Sequence, residues 1–170
     1  MNYFEQFDLP EQLDINLSLL KANFLKLQQQ HHPDQAKDKN AALIQSSEIN
    51  QGYKTLLHVD SRAGYLLKLK QQDQYLDQSI HDLNFLQSAL EMREMLDEAL
   101  SVEQLEQLRK EIHSNVATLT HTFNTQFTQQ QWADAQDSVR KLQFFQKVLK
   151  DIDKAEEDLL DHQTHLDDDF

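Results

Sequence analysis

The chain contains no cysteine. That absence excludes disulfides, a nucleophilic thiol and any metal centre held by thiolates of this chain itself. Breakers of regular structure are almost as rare: two glycines and two prolines among 170 residues, with none beyond Gly64. No apolar run approaches the roughly 20 residues that a membrane-spanning helix needs. The opening stretch MNYFEQFDLP has neither a basic start nor an apolar core, so no secretory signal is expected and the cytoplasm is the default compartment. Polar and apolar residues nowhere alternate with period two over a strand's length, so no sheet is expected; no internal repeat is visible. A glycine-rich phosphate loop and a convergent acid–base set are also missing, which argues against an enzyme and against a bound cofactor.

Positive charge is the other shortage, and it is uneven. Residues 76–170 hold 8 Lys+Arg against 20 Asp+Glu, a net of −12, whereas residues 1–75 hold 8 against 9, a net of −1. An acidic second half is unsuited to nucleic acid, whose phosphates need Lys and Arg, and to anionic membranes. What remains is a protein-facing surface, or charge that serves solubility alone.

Helical periodicity fills the rest. Leu17, Leu20, Phe24, Leu27 and His31 mark one face of a helix of about 15 residues, with Asp14 or Asn16 as its cap. Ala42, Ser46, Ile49, Tyr53 and Leu56 mark a second helix, antiparallel to the first across a loop at 32–41. A third short helix, SRAGYLLKLK, is expected to start after Asp60 or Ser61, and YFEQFDLP reads as one helical turn closed by Pro10. The polar stretch QQDQY at 71–75 coincides with the change in charge and separates two domains, 1–72 and 76–170. In the second, stripes run from Phe85 to Leu96, from Val102 to Phe127 and from Trp132 to Leu159. Short polar joins near 100 and 129 make this an up–down three-helix bundle. The acidic tail HLDDDF is expected to fray.

One segment breaks the helical text: QQHHPDQ, residues 29–35. Pro33 cannot continue a helix ending near His31 and biases His32 away from helical backbone, so His32 and Asp34 are expected on a tight exposed turn. Three readings compete at this point. Proline and aspartate are ordinary turn formers. A metal site from His31 and His32 is disfavoured, because neighbours leave a helix about 100° apart and no ligand stands at i+4. A docking loop would present an imidazole and a carboxylate to a basic partner.

Five blocks, in order, resemble the HscB family, the J-domain co-chaperones of iron–sulfur cluster assembly. They are YFEQFDLP, the His-Pro-Asp signature within LQQQHHPDQ, INQGYKTLLHVDSRAGYLLKL, FLQSALEMREMLDEA and WADAQDSVRKLQFFQKV, and the resemblance covers essentially residues 2–160. The resemblance implies an all-α fold: an N-terminal J-domain helical hairpin and a C-terminal three-helix bundle, in an L shape. It implies a monomer that stimulates the ATPase of a DnaK-type chaperone, HscA, and brings to it the cluster scaffold protein, IscU.

It also assigns residues. His32, Pro33 and Asp34 match the signature, and Lys21, Lys26 and Arg62 would join the chaperone-binding surface. Lys21 and Lys26 read equally well as solvated side chains, and Arg62 as a local cap for acids. Leu86, Gln87, Leu90, Glu94, Glu98 and Phe144 match the scaffold-binding positions. Gln87 departs from the family, which favours an apolar residue there, and Gln35 stands where a basic residue is common. Phe144 and Phe145 cannot both centre on a core; Phe145 continues the Leu142–Leu149 stripe, so Phe144 is expected to be the more exposed. Leu86 and Leu90 are alternatively bundle core. The alternative to the whole reading is a helical protein–protein adaptor without a chaperone role.

Overall fold

The computed structural model describes residues 1–32, 34 and 37–168, with side chains through residue 163. Among these residues it is all-helical: α1 (Tyr3–Gln6), α2 (Leu17–Gln30), α3 (Lys39–Leu57), α4 (Val59–Leu69), α5 (Leu83–Glu98), α6 (Val102–Thr128) and α7 (Trp132–Asp168). The chain divides into two compact units, Met1–Gln74 and Tyr75–Phe170.

In the first unit the helix starts are written in polar side chains. Asn2 and Glu5 close a capping box on α1, Asn16 accepts from the Leu19 N–H, and Asp38 accepts from the Asn40 and Ala41 N–H groups. Contacts between Gln28 and Asn50 and between the stacked rings of Phe24 and Tyr53 set α2 and α3 antiparallel. Leu20, Ala42, Ile49 and Leu56 are buried along this hairpin, and α1 and α4 add Phe4, Phe7, Ala63, Leu66 and Leu67. Each of the leucine, isoleucine and phenylalanine side chains among them is worth about 1.5–3 kcal/mol when withdrawn from water. Leu17, expected on the inner face, is 46% exposed, because it occupies the first helical position. Gly52 is a point of close approach: a Cβ there would lie 2.9 Å from Tyr3 Cδ1 and 3.0 Å from Phe7 Cε2.

Helix α4 begins at Val59, not after Asp60 or Ser61; its cap residue His58 makes no side-chain cap bond. The Ser61 hydroxyl turns back instead, donating to the Thr55 and His58 carbonyls at 2.7 and 3.1 Å. Arg62 also turns inward. It is 7% exposed and donates through Nε to the Leu13 carbonyl at 2.6 Å and through a terminal nitrogen to the Leu56 carbonyl at 2.7 Å. Burial pulls its pKa down, and the fields of Asp14 and Asp60 oppose that. Its partners are therefore backbone oxygens, not acids, and its position is internal. Charge-assisted bonds of this kind contribute about 1.5–3 kcal/mol each. Arg62→Met is expected to lower the stability of the first unit by about 3 kcal/mol, seen as faster hydrogen exchange of α3 and α4 amides. Unchanged protection would remove Arg62 from the structural account.

The second unit is an up–down–up bundle. Gln126 pairs with Ser138, and Arg109 with Asp153 and Glu156, so α6 and α7 are antiparallel. Asp82 meets Lys141, Phe85 meets Phe144, and Arg93 meets Asp151, so α5 runs parallel to α7. Met92, Leu105, Leu108, Ile112, Phe145, Val148 and Ile152 form one buried cluster. Val148 is fully buried while Leu149, expected in the stripe, is half-buried. Asp82 and Ser101 cap α5 and α6. Helix α7 remains helical through Asp168, into the tail expected to fray.

Two helix ends use glutamine where glycine is usual. Gln71 (φ 59°) follows α4 and Gln130 (φ 58°) follows α6, both left-handed. The next residues close the motif: the Gln72 N–H donates to the Leu67 carbonyl and the Gln131 N–H to the Gln126 carbonyl, both at 2.8 Å. These bonds satisfy otherwise orphaned carbonyls at a backbone cost of about 1–2 kcal/mol per residue.

Candidate functional site

Between α2 and α3, His32 and Asp34 contact each other. The Asp34 N–H donates to His32 Nδ1 at 3.2 Å, and Asp34 Oδ2 lies 3.5 Å from the same nitrogen. The two side chains are 56% and 85% exposed, respectively. Asp38 spends its carboxylate capping α3, whereas the Asp34 carboxylate caps nothing and meets no Lys or Arg among the described residues. It is an anion facing solvent between α2 and α3. Pro33, named from sequence, and Gln35 lie outside the described residues.

Lys21 and Lys26 are both exposed on α2. Five positions apart, they stand about 140° apart around the helix and do not form one flat basic face. Sequence reasoning missed the apolar neighbours: Leu25 is 56% exposed one turn beyond Lys21, and Leu43 and Ile44 are 55% and 62% exposed near the start of α3. The signal was present, since none of the three falls on its helix's inward stripe.

A second surface lies on α5. Leu86 and Leu90 are 41% and 61% exposed, so the core alternative does not hold for them. Gln87, Glu94 and Glu98 are also exposed. Steps of four wind by about 40° each, so Leu86 and Leu90 share a flank while Glu94 and Glu98 curl away from it. Phe145 is buried and Phe144 half-buried, as the phase of α7 predicts. Phe144 is gripped from α5 on both sides of the leucines: edge-on to Phe85 at 5.5 Å, with the Arg93 guanidinium 5.9 Å over its ring. Arg93 is anchored by Asp151 at 2.6 Å, a contact that holds the Asp151 carboxyl below its usual range. The result is a ring fixed against α5, the helix that also exposes the two leucines and the acids: apolar and acidic groups of a kind suited to protein docking.

Known proteins resemble the chain over its full length. The co-chaperone protein HscB homolog of Acinetobacter baylyi is 63% identical over 171 residues, covering 100% of both chains. The chain belongs to the HscB co-chaperone family. The family's C-terminal oligomerisation domain model matches residues 81–153. Among solved structures, chaperone HscB from Vibrio cholerae is 32% identical, covers 94% of this chain and 99% of its own, and superposes with a TM-score of 0.75. Human co-chaperone HscB is 26% identical, covers 90% of this chain and 81% of its own, and superposes with a TM-score of 0.76.

Within this HscB-family chain the two surfaces sit on separate units: His32 and Asp34 on the first, the α5 residues and Phe144 on the second. Arg62 joins neither, since its guanidinium is spent on the Leu13 and Leu56 carbonyls. No cluster of three or more His, Asp or Glu able to hold a metal ion occurs among the described residues. Nor, among them, is any helix long and apolar enough to cross a membrane.

Proposed function

We propose that this HscB-family chain is a cytoplasmic, monomeric co-chaperone of iron–sulfur cluster assembly that activates a partner's ATPase and is not itself an enzyme. The first unit, as a J-domain, docks its His32–Asp34 loop on the DnaK-type chaperone HscA and stimulates ATP hydrolysis. The second unit holds the scaffold IscU on Leu86, Gln87, Leu90, Glu94, Glu98 and Phe144. The observation that carries the reading is the Asp34 carboxylate, exposed at the end of a helical hairpin and engaged in no cap or salt link to Lys or Arg. An arginine on the chaperone is its natural complement. Lys21 and Lys26 add steering charge, but only two cations on different faces give weak long-range attraction, and therefore weak salt dependence.

Steady-state ATP hydrolysis by HscA, with and without the scaffold, tests this. Stimulation by the chain, larger with scaffold present, is the expected result. A folded chain that binds the scaffold and leaves hydrolysis unchanged would instead be a helical adaptor without a chaperone role.

A further inference from the structure

Helix α2 ends at Gln30, two residues before His32, so the way it ends decides where the docking loop stands. Its grip on α3 weakens in that direction. Among the described residues of α2 only Leu20, near the start, is buried; Phe24 and Leu27 are half-buried. Toward the loop the inner face of α3 carries the small side chains of Ala42 and Ser46, which leave little apolar surface to hold a facing helix. The last turn of α2 also has no basic residue to meet its free carbonyls.

Two side-chain contacts set the register of this hairpin. The Phe24 and Tyr53 rings stack with their centroids 4.0 Å apart, and one turn nearer the loop Gln28 Nε2 donates to Asn50 Oδ1. Among the described residues that is the one side-chain hydrogen bond from α2 to α3. Stacked rings tolerate an offset, whereas a hydrogen bond weakens steeply once bent or stretched. In this register Gln30 falls level with Glu48, so α3, which starts at Lys39, runs on for about 13 Å past the end of α2. A slip or swing of the last turn of α2 moves His32 and Asp34 along that overhang.

We propose that Gln28 and Asn50 are positioning residues for the His32–Asp34 loop. Their hydrogen bond fastens the last turn of α2 to α3 and raises the fraction of molecules whose loop stands ready to dock. The inference rests on the docking role proposed for that loop. Apparent affinity scales with the competent fraction, so a loop held only part of the time docks more weakly while its maximal effect is unchanged. Helix propensity separates this role from a merely structural one. Both residues lie inside helices, where alanine is the better helix former, so Gln28→Ala and Asn50→Ala leave thermal unfolding unchanged or slightly raised.

The test is ATP hydrolysis by the purified chaperone titrated with the full chain. The parent is compared with the two alanine variants, their combination, and the exchanged pair Gln28→Asn with Asn50→Gln, which keeps the total length of the bridge. Each alanine variant is expected to raise the half-maximal concentration about threefold, the scale of one net hydrogen bond, with the maximal rate unchanged. The combination should be no weaker than either single change, since both remove the same bond. The exchanged pair should return the half-maximal concentration to the parental value, and amides in the last turn of α2 should exchange faster in the alanine variants only. Parental half-maximal concentrations in both alanine variants would overturn the proposal. So would losses that multiply in the combination, or an exchanged pair that stays weak, because the two residues would then act apart. Asp34→Asn is run beside them. If it too stimulates like the parent, the docking role of the loop fails and the positioning role with it; if it alone loses stimulation, only the positioning role is wrong.

Discussion

Replacing Asp34 by Asn is expected to cut stimulation of the chaperone ATPase by at least tenfold while leaving thermal unfolding where it was. The two halves of this expectation have different physical origins. Stability is insensitive because the Asp34 side chain is 85% exposed and caps no helix; surface changes away from such features stay within about 0.5 kcal/mol. Asn also keeps the shape of the turn and the backbone N–H that His32 Nδ1 accepts. Function is sensitive because an Asn oxygen accepts a hydrogen bond but carries no charge. A charge-assisted contact buried at an interface is worth about 2–5 kcal/mol when one partner is cut away, and most of that loss appears in the off-rate. Steady-state hydrolysis at a fixed, sub-saturating co-chaperone concentration reads this directly. Full stimulation by Asp34→Asn would put the contact elsewhere on the first unit, with Leu25, Leu43 and Ile44 the next surface to examine.

The second large effect belongs to the other unit. Leu90→Ala combined with Phe144→Ala is expected to weaken scaffold binding by about 30–100-fold, roughly 2–3 kcal/mol, from loss of an apolar anchor and its aromatic neighbour. Stimulation of the chaperone at high co-chaperone concentration, without scaffold, should persist. The folding cost is unequal between the sites. Leu90 is 61% exposed and its truncation costs little, whereas Phe144 packs edge-on to Phe85 and Phe145 and accepts the Arg93 cation, so its removal loosens α5. For that reason Leu90→Ala alone is measured beside the pair, and retained α5 amide protection is required before binding is compared. A folded double variant with parental affinity would remove these residues from the client surface.

The sequence carried the helices, their inward phases and the separation of Phe144 from Phe145, because each follows from apolar spacing that burial then enforces. The cap of α2 was legible only to a pair, Asp14 or Asn16, since both residue types cap helices; the structure selects Asn16. Helix ends were less legible. Glycine normally marks them, and here Gln71 and Gln130 adopt the left-handed backbone instead. The start of α4 was hidden because His58 makes no side-chain cap bond and the Ser61 hydroxyl is spent on carbonyls behind it. Arg62 shows a different limit. In one dimension this arginine reads as a docking residue or a cap for local acids; only the folded chain brings the Leu13 carbonyl, 49 positions away in sequence, within reach of its Nε. Arg93 and Asp151 meet for the same non-local reason. In the docking loop, residue types made His32 and Asp34 candidates, and geometry added that the carboxylate has no helix to cap.

In the proposed function one chain joins two docking surfaces, so that the client is brought to the chaperone by the molecule that activates it. A mixing experiment addresses this most directly. Asp34→Asn keeps the scaffold surface and lacks the loop carboxylate; the Leu90→Ala, Phe144→Ala pair keeps the loop and lacks the scaffold surface. Scaffold-enhanced ATP hydrolysis is measured with each variant alone, with the two mixed in equal amounts, and with the parent chain. The mixture is expected to stay near the level of the variants alone, because no single molecule carries both surfaces. Restoration of the parental rate by the mixture would contradict it, since the two surfaces would then act without being joined.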